Sequence, residues 1–297
     1  MAIAGAALLV ITAFLLRRLR LAAIALAAII AWFALPHFDL LLVPAYPTSF
    51  YHSPSGFTSA TITEGQALFS QNCVSCHGAN GMGDGTAAKS LLIPPADLTA
   101  AHLWQHSDGE LFWWISHGMT GPEGSQTMPG FADTIDEDSR WALIDYIRAH
   151  NAGTARQPRG DFPRPVQAPG FGLRCGAAKP QQLSDLRGHY VRLVIGAPPP
   201  LSNFSDITTI FTVLAPDPAL CIASDETLPL AYAITSGITP SAITGTQFLI
   251  DPSGWLRALQ FPATGDWNDP AKLKREIQQL QAHPVTLPTA TPMKMPM

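Results

Sequence analysis

The 297-residue sequence contains only four cysteines, and only two of them lie close together. Cys175 and Cys221 each stand alone, so the chain lacks the second closely spaced ligand pair that a structural zinc site needs. Charged residues make up 13% and apolar residues 47% of the chain, which indicates that part of the chain lies in a lipid bilayer. Residues 47–153 have 3 basic and 11 acidic residues, a net charge of −8, which disfavours nucleic acid as a partner.

Long apolar runs are confined to the first 46 residues. Residues 1–16 are almost wholly apolar, a basic stretch follows at residues 17–20, and apolar residues resume from 21 to 35. Because a basic flank favours the cytoplasmic side of a membrane, we predict a span from Leu21 to about Val43 that exports the rest of the chain.

Two alternatives to this single span remain open. Residues 2–16 could also cross, although that length rises only about 22 Å against a hydrocarbon core of about 30 Å. The run could instead be a cleavable signal peptide, although a small-x-small cleavage site is missing after Leu35. The sequence predicts an anchor of one or two transmembrane helices in the inner (cytoplasmic) membrane, with the later domains facing the periplasm.

The stretch Cys73-Val74-Ser75-Cys76-His77 carries most of the chemical information in the chain. The pattern C-x-x-C-H is typical of c-type haem attachment, because each thiol can add to one vinyl group of the porphyrin while the histidine ligates the iron. A redox-active C-x-x-C pair and half of a zinc site are the alternatives. We predict one covalently bound haem c, attached through Cys73 and Cys76, with His77 as an iron ligand.

Capping boxes that begin at Thr63 and Thr134 predict two helices that pack together. The first helix covers residues 61–70, and the second contains the apolar residues 141–147. Gly65 is a poor helix former, and close approach of the second helix backbone is a reason for its presence inside the first.

The segments after His77 predict how the haem site is closed. Residues 78–85 form a glycine-rich loop that can pass close to a haem edge without side-chain clashes. A carbonyl of residues 93–98 is expected to accept a hydrogen bond from the other ring N–H of His77. Ser107 then caps a third helix, which Gly118 ends.

The distal iron ligand is predicted to be Met128. It lies 51 residues past His77, and the rigid Pro129 after it can hold a mobile thioether in place. Met119 is the second choice, and the remaining candidates are His102, His106, His117, His150 and Met82. Histidine and methionine ligation leaves the iron six-coordinate, which favours electron transfer over oxygen chemistry.

Residues 61–153 resemble class I c-type cytochromes in the C-x-x-C-H motif, the glycine loop, the proline pair Pro94-Pro95 and Met128-Pro129. The resemblance implies an all-α cytochrome c domain, covalent haem at both cysteines of the motif, and iron ligation by His77 and Met128. It also implies a contact between the terminal helices, formed by Gly65, Phe69, Leu143 and Tyr146.

After a stretch rich in Pro, Gly and Arg at residues 154–170, strand and helix signals alternate. Residues 191–196 predict a buried strand, residues 248–257 a strand, turn and strand, and residues 272–282 a closing helix. These segments resemble the thioredoxin-like family over about residues 183–281, which implies a small α/β domain.

The chain departs from thioredoxin-like proteins where their chemistry takes place. Gly196-Ala197-Pro198-Pro199-Pro200 stands in place of the C-x-x-C motif, and Gly245-Thr246-Gln247 in place of the usual cis-proline segment. Thiol exchange needs a low-pKa cysteine beside a resolving one, so we predict a redox-inactive module. Cys175 and Cys221 are expected to form a structural disulfide, with two free buried thiols as the alternative.

The C-terminal tail, residues 293–297, contains alternating methionines, whose thioethers can hold Cu(I); a disordered tail is the alternative. The anchor and haem segment together resemble the C-terminal part of fusions to the copper resistance protein D family. This resemblance adds copper as a possible ligand of the chain.

The sequence thus predicts a multidomain chain: a transmembrane helix anchor at 1–46, an all-α cytochrome c domain at 47–153, a linker at 154–170 and an α/β thioredoxin-like domain with the Met-rich tail at 171–297. We expect a single-haem electron carrier, not an enzyme, that meets redox proteins in or at the membrane through a basic patch on the partner. The alternatives are a cytochrome subunit of a dehydrogenase or copper-linked oxidoreductase, and a haem-based gas sensor with a labile sixth iron ligand.

Overall fold

In the computed structural model, the chain divides into two compact units, residues 1–47 and residues 48–297. The structure describes residues 21–26, 29, 48, 51–121, 124–156, 162–176, 178–196, 207–212, 220–223, 225–264 and 266–286. In the first unit, residues 21–26 are helical. The second unit contains both the haem motif and the thioredoxin-like segments.

The predicted transmembrane anchor is wrong. None of the helices in the described part of the chain combines the length and the apolar character that a membrane crossing requires. Most of the predicted span from Leu21 to Val43 lies outside the described residues, as do residues 1–20.

The half of the second unit that carries the haem motif is mainly helical. Its elements are α1 (Ser59–Asn72), α2 (Val74–His77), 3-10 turns at Ala88–Ser90 and Ala101–Gln105, α3 (Asp108–His117), β1 (Met119–Thr120), β2 (Gln126–Met128) and α4 (Glu137–Ala155). Strands β1 and β2 form an antiparallel ribbon that places Met119 opposite Met128. The predicted all-α domain therefore also contains a short β-ribbon, which holds the segment of the predicted distal ligand.

The N-cap of helix α1 lies five residues before the cap that the sequence predicted. Thr58 is the N-cap, and its hydroxyl accepts from Thr61 N–H at 3.2 Å while Thr58 N–H donates to the Thr61 hydroxyl at 3.1 Å. The predicted cap, Thr63, instead donates its hydroxyl to the Ser59 carbonyl at 3.1 Å. This reciprocal threonine pair satisfies the helix end without a glutamate or glutamine.

The caps of the later helices were predicted with mixed success. Ser107 caps α3 by accepting from Glu110 N–H at 3.2 Å, as predicted. Asp136 caps α4 by accepting from Ser139 N–H at 2.9 Å, so the box expected from Thr134 is not used. A carboxylate at this position also favours the positive end of the helix dipole.

Helices α1 and α4 cross at the glycine that the sequence singled out. A Cβ on Gly65 would lie 2.0 Å from the Ala142 carbonyl oxygen, so only glycine permits this approach. The rings of Phe69 and Tyr146 pack with centroids 5.1 Å apart, and Leu143 is buried in the same apolar cluster. The expected contact between the terminal helices is confirmed, and it fixes the helix that leads into the haem motif.

The other half of the second unit is a thioredoxin-like α/β fold. Its eight described strands are β3 (Val166–Gln167), β4 (Gly172–Cys175), β5 (Gln181–Gln182), β6 (Val191–Val194), β7 (Thr208–Phe211), β8 (Cys221–Ala223), β9 (Gln247–Ile250) and β10 (Trp255–Gln260). They form one mixed sheet in the order β3-β10-β9-β6-β7-β8-β4-β5, in which β6, β7 and β8 are mutually parallel. The helical elements are α5 (Leu228–Ser236), α6 (Pro270–Ala282) and 3-10 turns at Leu183–Leu186, Pro240–Ala242, Pro262–Thr264 and Asp266–Asn268.

The core of this sheet agrees with the sequence pattern. Every residue of β6 and β9 is buried, as expected for central strands that are covered on both faces. The predicted strand at 191–196, the strand, turn and strand at 248–257 and the closing helix at 272–282 are confirmed. Cys175 and Cys221 stand opposite each other on β4 and β8 and form the predicted disulfide.

The halves of the second unit are in direct contact, as two examples show. Where α4 meets α5, a Cβ on Gly153 would lie 2.2 Å from the Ile234 carbonyl oxygen. In a short parallel bridge, Ser59 N–H donates to Gly170 O at 2.8 Å and Gly170 N–H donates to Phe57 O at 2.9 Å. The predicted linker at 154–170 therefore includes the end of α4 and strand β3; its residues 157–161 lie outside the described chain.

Candidate haem site

The C-x-x-C-H motif forms a single helical turn at the end of α1. Cys73 is the C-cap of α1, and α2 follows directly. The backbone N–H groups of Cys76 and His77 donate to the Cys73 carbonyl oxygen at 3.2 and 2.8 Å. One turn therefore carries both thiols and the imidazole, which is the local geometry that haem attachment uses.

Both thiols of the motif are free and half-buried. Burial raises the pKa of the Cys73 thiol to about 11, and the nearby Cys76 adds to the rise. Redox-active C-x-x-C pairs instead depress the pKa of the attacking thiol, so this environment disfavours the thiol-exchange alternative. Within the described ranges, no group of three or more His, Cys, Asp or Glu side chains is arranged to hold a metal ion.

The imidazole of His77 is oriented by a backbone carbonyl. Its Nδ1 lies 3.0 Å from the Ala96 carbonyl oxygen, which can only accept, so Nδ1 carries the proton and Nε2 keeps its lone pair. Burial lowers the pKa of His77, against a smaller opposite effect of the Ala96 hydrogen bond, so the ring is neutral. The expected carbonyl within residues 93–98 is thus confirmed as Ala96, and the free Nε2 is the atom that can ligate iron.

The glycine-rich loop packs back onto the motif. Gly83 N–H donates to the His77 carbonyl at 2.8 Å, and Gly85 N–H donates to the Cys76 carbonyl at 3.0 Å. Leu98 N–H donates to the Gly81 carbonyl at 2.7 Å, which ties the loop to the segment that contains Ala96. These hydrogen bonds make the loop and the proline segment one support for the imidazole.

Met128 borders the same apolar cluster as the haem motif. Its half-buried side chain and Cys73 both pack against buried residues of this cluster, which include Phe69, Leu111, Ile115, Trp141 and Tyr146. By contrast, the side chains of Met119 and Met82 are 41% and 54% exposed. The structure therefore favours Met128 over the other methionines as the distal ligand, although its ligation of iron stays a prediction.

Most of the competing histidines have other contacts. His106 Nδ1 lies 3.0 Å from Glu110 Oε2, the His117 ring stacks on Trp113 with centroids 3.6 Å apart, and His150 Nε2 donates to the Asn80 carbonyl at 2.8 Å. The ring of His102 packs edge-on to His106 at 5.9 Å. These contacts give the histidines structural roles at the helix ends.

The residues present fit haem c. One helical turn supplies two free thiols, a neutral imidazole offers Nε2, and a thioether and a thiol border one apolar cluster. The site therefore offers a soft sulfur donor, an oriented imidazole and an apolar surface, which are the features that His/Met haem ligation requires.

Comparison with known proteins agrees with this geometry. Residues 60–147 match the family model described as cytochrome C oxidase, cbb3-type, subunit III. These residues form a cytochrome c domain. The match implies haem c as its cofactor and supports an electron-carrier role. It covers less than half of the chain, and no curated protein matches the sequence.

The solved structures similar to parts of this chain include a c-type cytochrome and thioredoxin-like proteins. The c-type cytochrome KustC0563 is 25% identical over 28% of this chain and 93% of its own, with a TM-score of 0.24. Thioredoxin peroxidase I of Plasmodium yoelii is 14% identical over 44% of this chain and 99% of its own (TM-score 0.28). BsSco, of the Sco family of cytochrome c oxidase assembly proteins, is 9% identical over 43% and 98% (TM-score 0.28). The similarity expected to copper resistance protein D fusions is not shown by these matches.

Sequence reasoning missed two buried polar residues of helix α4. Asp145 is only 3% exposed, and its carboxylate accepts hydroxyl hydrogen bonds from Ser55 at 2.5 Å and Thr61 at 2.6 Å. Asn151 is fully buried on the same helix and bonds to residues about 50 positions earlier. Polar residues inside the apolar face of a predicted helix were the signal that could have found them.

The thioredoxin-like half lacks its usual catalytic residues in sequence, and part of that region is undescribed. Gly196 N–H donates to the Thr212 hydroxyl at 2.8 Å, and Gly245 N–H donates to the Ile195 carbonyl at 2.6 Å. Residues 197–200, which replace the C-x-x-C motif, and the tail at 293–297 lie outside the described residues. Redox inactivity and copper binding by the tail therefore stay predictions.

Proposed function

We propose that this chain is an electron carrier with one covalently bound haem c. Cys73 and Cys76 attach the porphyrin, and His77 and Met128 ligate the iron. The observation that carries the proposal is the hydrogen bond from His77 Nδ1 to Ala96, which leaves Nε2 as the only ring nitrogen free for a metal. In this role the chain makes and breaks no substrate bonds.

When bound, the haem supplies a one-electron couple between ferric and ferrous iron. The chain holds the cofactor on the α2 turn, keeps the imidazole neutral and fixes its plane through Ala96. The apolar cluster beside Cys73 and Met128 offers an apolar surface for the porphyrin. These residues would present an imidazole of fixed orientation to a bound haem, which favours outer-sphere electron transfer.

The proposed location is an oxidising compartment outside the cytoplasm, such as the periplasm. The disulfide between Cys175 and Cys221 supports it, because disulfides persist where thiols are not kept reduced. The proposed partners are redox proteins with a basic docking patch. The acidic balance of residues 47–153 supports this choice, because opposite charge steers proteins together.

A second candidate is an electron-transfer subunit of a larger oxidoreductase complex. The family model that matches residues 60–147 is itself named as an oxidase subunit, which favours this reading. Co-purification with a metal- or flavin-containing catalytic polypeptide would support it, and isolation as a functional single polypeptide would count against it.

The test is covalent haem in the purified protein. We expect a c-type pyridine haemochrome and a haem-stained band after denaturing electrophoresis, both lost in the double variant Cys73→Ala, Cys76→Ala. The matched control is Cys175→Ala, Cys221→Ala, which removes the other two cysteines and should keep one haem per chain. A colourless wild-type protein, or equal haem content in both double variants, would contradict the proposal.

A further inference from the structure

Asn151 is a fully buried polar residue that neither attaches the haem nor ligates the iron in the proposed function. Its Nδ2 donates to the Leu98 carbonyl at 2.7 Å and to the Ala100 carbonyl at 3.1 Å, and its Oδ1 accepts from Trp104 Nε1 at 2.5 Å. Both sides of the amide are therefore engaged, and all partners belong to one segment, residues 98–104. A buried side-chain amide whose oxygen and nitrogen are both hydrogen-bonded fixes the position of the segment that it contacts.

The preceding residue holds the other branch of the same support. His150 Nε2 donates to the Asn80 carbonyl at 2.8 Å, and its ring stacks on Tyr146 with centroids 5.6 Å apart. We call His150 and Asn151 the proximal clamp. One residue of the clamp holds the glycine-rich loop, and the other holds the segment after the proline pair.

A backbone hydrogen bond joins the two branches close in sequence to Ala96, the acceptor of His77. The hydrogen bond from Leu98 N–H to the Gly81 carbonyl, 2.7 Å long, joins them. Ala96, whose carbonyl accepts from His77 Nδ1, lies two residues before Leu98. The position of that acceptor is therefore set from α4, through a residue 74 positions away from the histidine in sequence.

We propose that Asn151, with His150, is a positioning residue that sets the strength of the hydrogen bond between His77 and Ala96, and thereby the reduction potential of the haem. The inference rests on the proposed function, because it takes His77 as the iron ligand. A strong hydrogen bond at Nδ1 makes the imidazole more basic, and a more basic ligand favours ferric iron. Loosening the clamp should weaken this bond and favour the reduced form.

The decisive comparison is between two buried polar positions on α4. Asn151→Ala removes the donors to Leu98 and Ala100, whereas Asp145→Ala removes a buried carboxylate that bonds only to Ser55 and Thr61 in the described structure. We expect Asn151→Ala to move the equilibrium with a calibrated redox dye about three- to tenfold toward reduced haem. We also expect faster deuterium exchange of the His77 Nδ1 proton in NMR spectra. Asp145→Ala should change neither quantity.

A second pair tests the clamp where Asn151→Ala is too unstable to purify. His150→Ala removes the donor to Asn80, and His150→Gln restores a side-chain N–H of similar reach. We expect a shift toward reduced haem in His150→Ala and recovery in His150→Gln.

Full haem content with an unchanged dye equilibrium and unchanged proton exchange in both Asn151→Ala and His150→Ala would overturn the inference and leave the electron carrier intact. An equal shift in Asp145→Ala would also overturn it, because the effect would then follow from general destabilisation. A wild-type protein without haem would overturn both.

Discussion

Met128 and Met119 stand opposite each other on the β1–β2 ribbon, but their surroundings differ. Met128 packs against the apolar cluster that borders Cys73, whereas the Met119 side chain is 41% exposed. If Met128 is the sixth ligand, Met128→Ala leaves the iron with a vacant or water-filled position. We expect reduced Met128→Ala to bind CO rapidly, and wild type and the control Met119→Ala to bind it slowly or not at all. Rapid CO binding by the wild type would favour the gas-sensor alternative.

Asp145 gives the folded protein a defined pH dependence. Burial raises the pKa of its carboxyl from 3.8 to about 6, with hydrogen bonds from Ser55 and Thr61 opposing the rise and Asp108 adding to it. The folded state therefore binds this proton more tightly than the unfolded state. Its stabilising effect is full below about pH 4 and is lost as the pH rises through 6, by about 3 kcal/mol in total.

The measurement is urea unfolding between pH 4 and pH 7. We expect the wild type to lose stability relative to Asp145→Asn as the pH rises, because the variant cannot ionise at this position. Asp138→Asn, an exposed acid on the same helix, should keep the wild-type slope. Parallel curves for wild type and Asp145→Asn would show that the carboxyl is not perturbed.

At the scale of the helix pair, Gly65 determines how closely α1 approaches α4. A Cβ at this residue would meet the Ala142 carbonyl at 2.0 Å, and backbone cannot move aside as a side chain can. We expect Gly65→Ala to cost about 3 kcal/mol of unfolding free energy, the upper end for an overpacked contact, and to lower haem retention. Gly172→Ala is the matched control, since a Cβ there meets only Gln182 Nε2 at 3.7 Å and should cost less than about 1 kcal/mol. Similar losses in both variants would mean that the helices do not cross at Gly65.

Local signals predicted the elements better than the connections between them. Ser107 and the apolar stretch at 141–147 predict helices from residues that are close in sequence, so the sequence is informative there. The cap at Thr58 was missed because a threonine pair replaces the usual glutamate or glutamine, and the β1–β2 ribbon is too short to show alternation. The hydrogen bonds of Asn151 could not be predicted from the sequence, because its partners are about 50 residues away and only the folded chain brings them together.

The charge of the cytochrome half should govern how the whole molecule meets its partners. Residues 47–153 carry a net charge of −8, and attraction between exposed charges is screened within about 10 Å at 0.1 M salt. We expect the second-order rate of electron exchange with a basic cytochrome to fall about tenfold or more between 10 mM and 500 mM salt. An acidic cytochrome of similar potential is the control and should react faster as salt rises. A rate that does not change with salt for either cytochrome would contradict the proposal that the partner has a basic docking patch.

The two halves of the second unit should behave as one folding unit. Gly153 of α4 lies against Ile234 and Gly237 at the end of α5, and a Cβ on Gly153 would approach the Ile234 carbonyl oxygen to 2.2 Å. Because this contact is backbone against backbone, even one methyl group must push α5 away, which uncouples the cytochrome c domain from the sheet. We expect one calorimetric transition for the wild type and two for Gly153→Ala, with the haem absorbance following only one of the two. Thr154→Ala, the exposed neighbouring position, should keep the single transition. Two transitions in the wild type would mean that the halves fold independently and that the thioredoxin-like domain does not support the haem site.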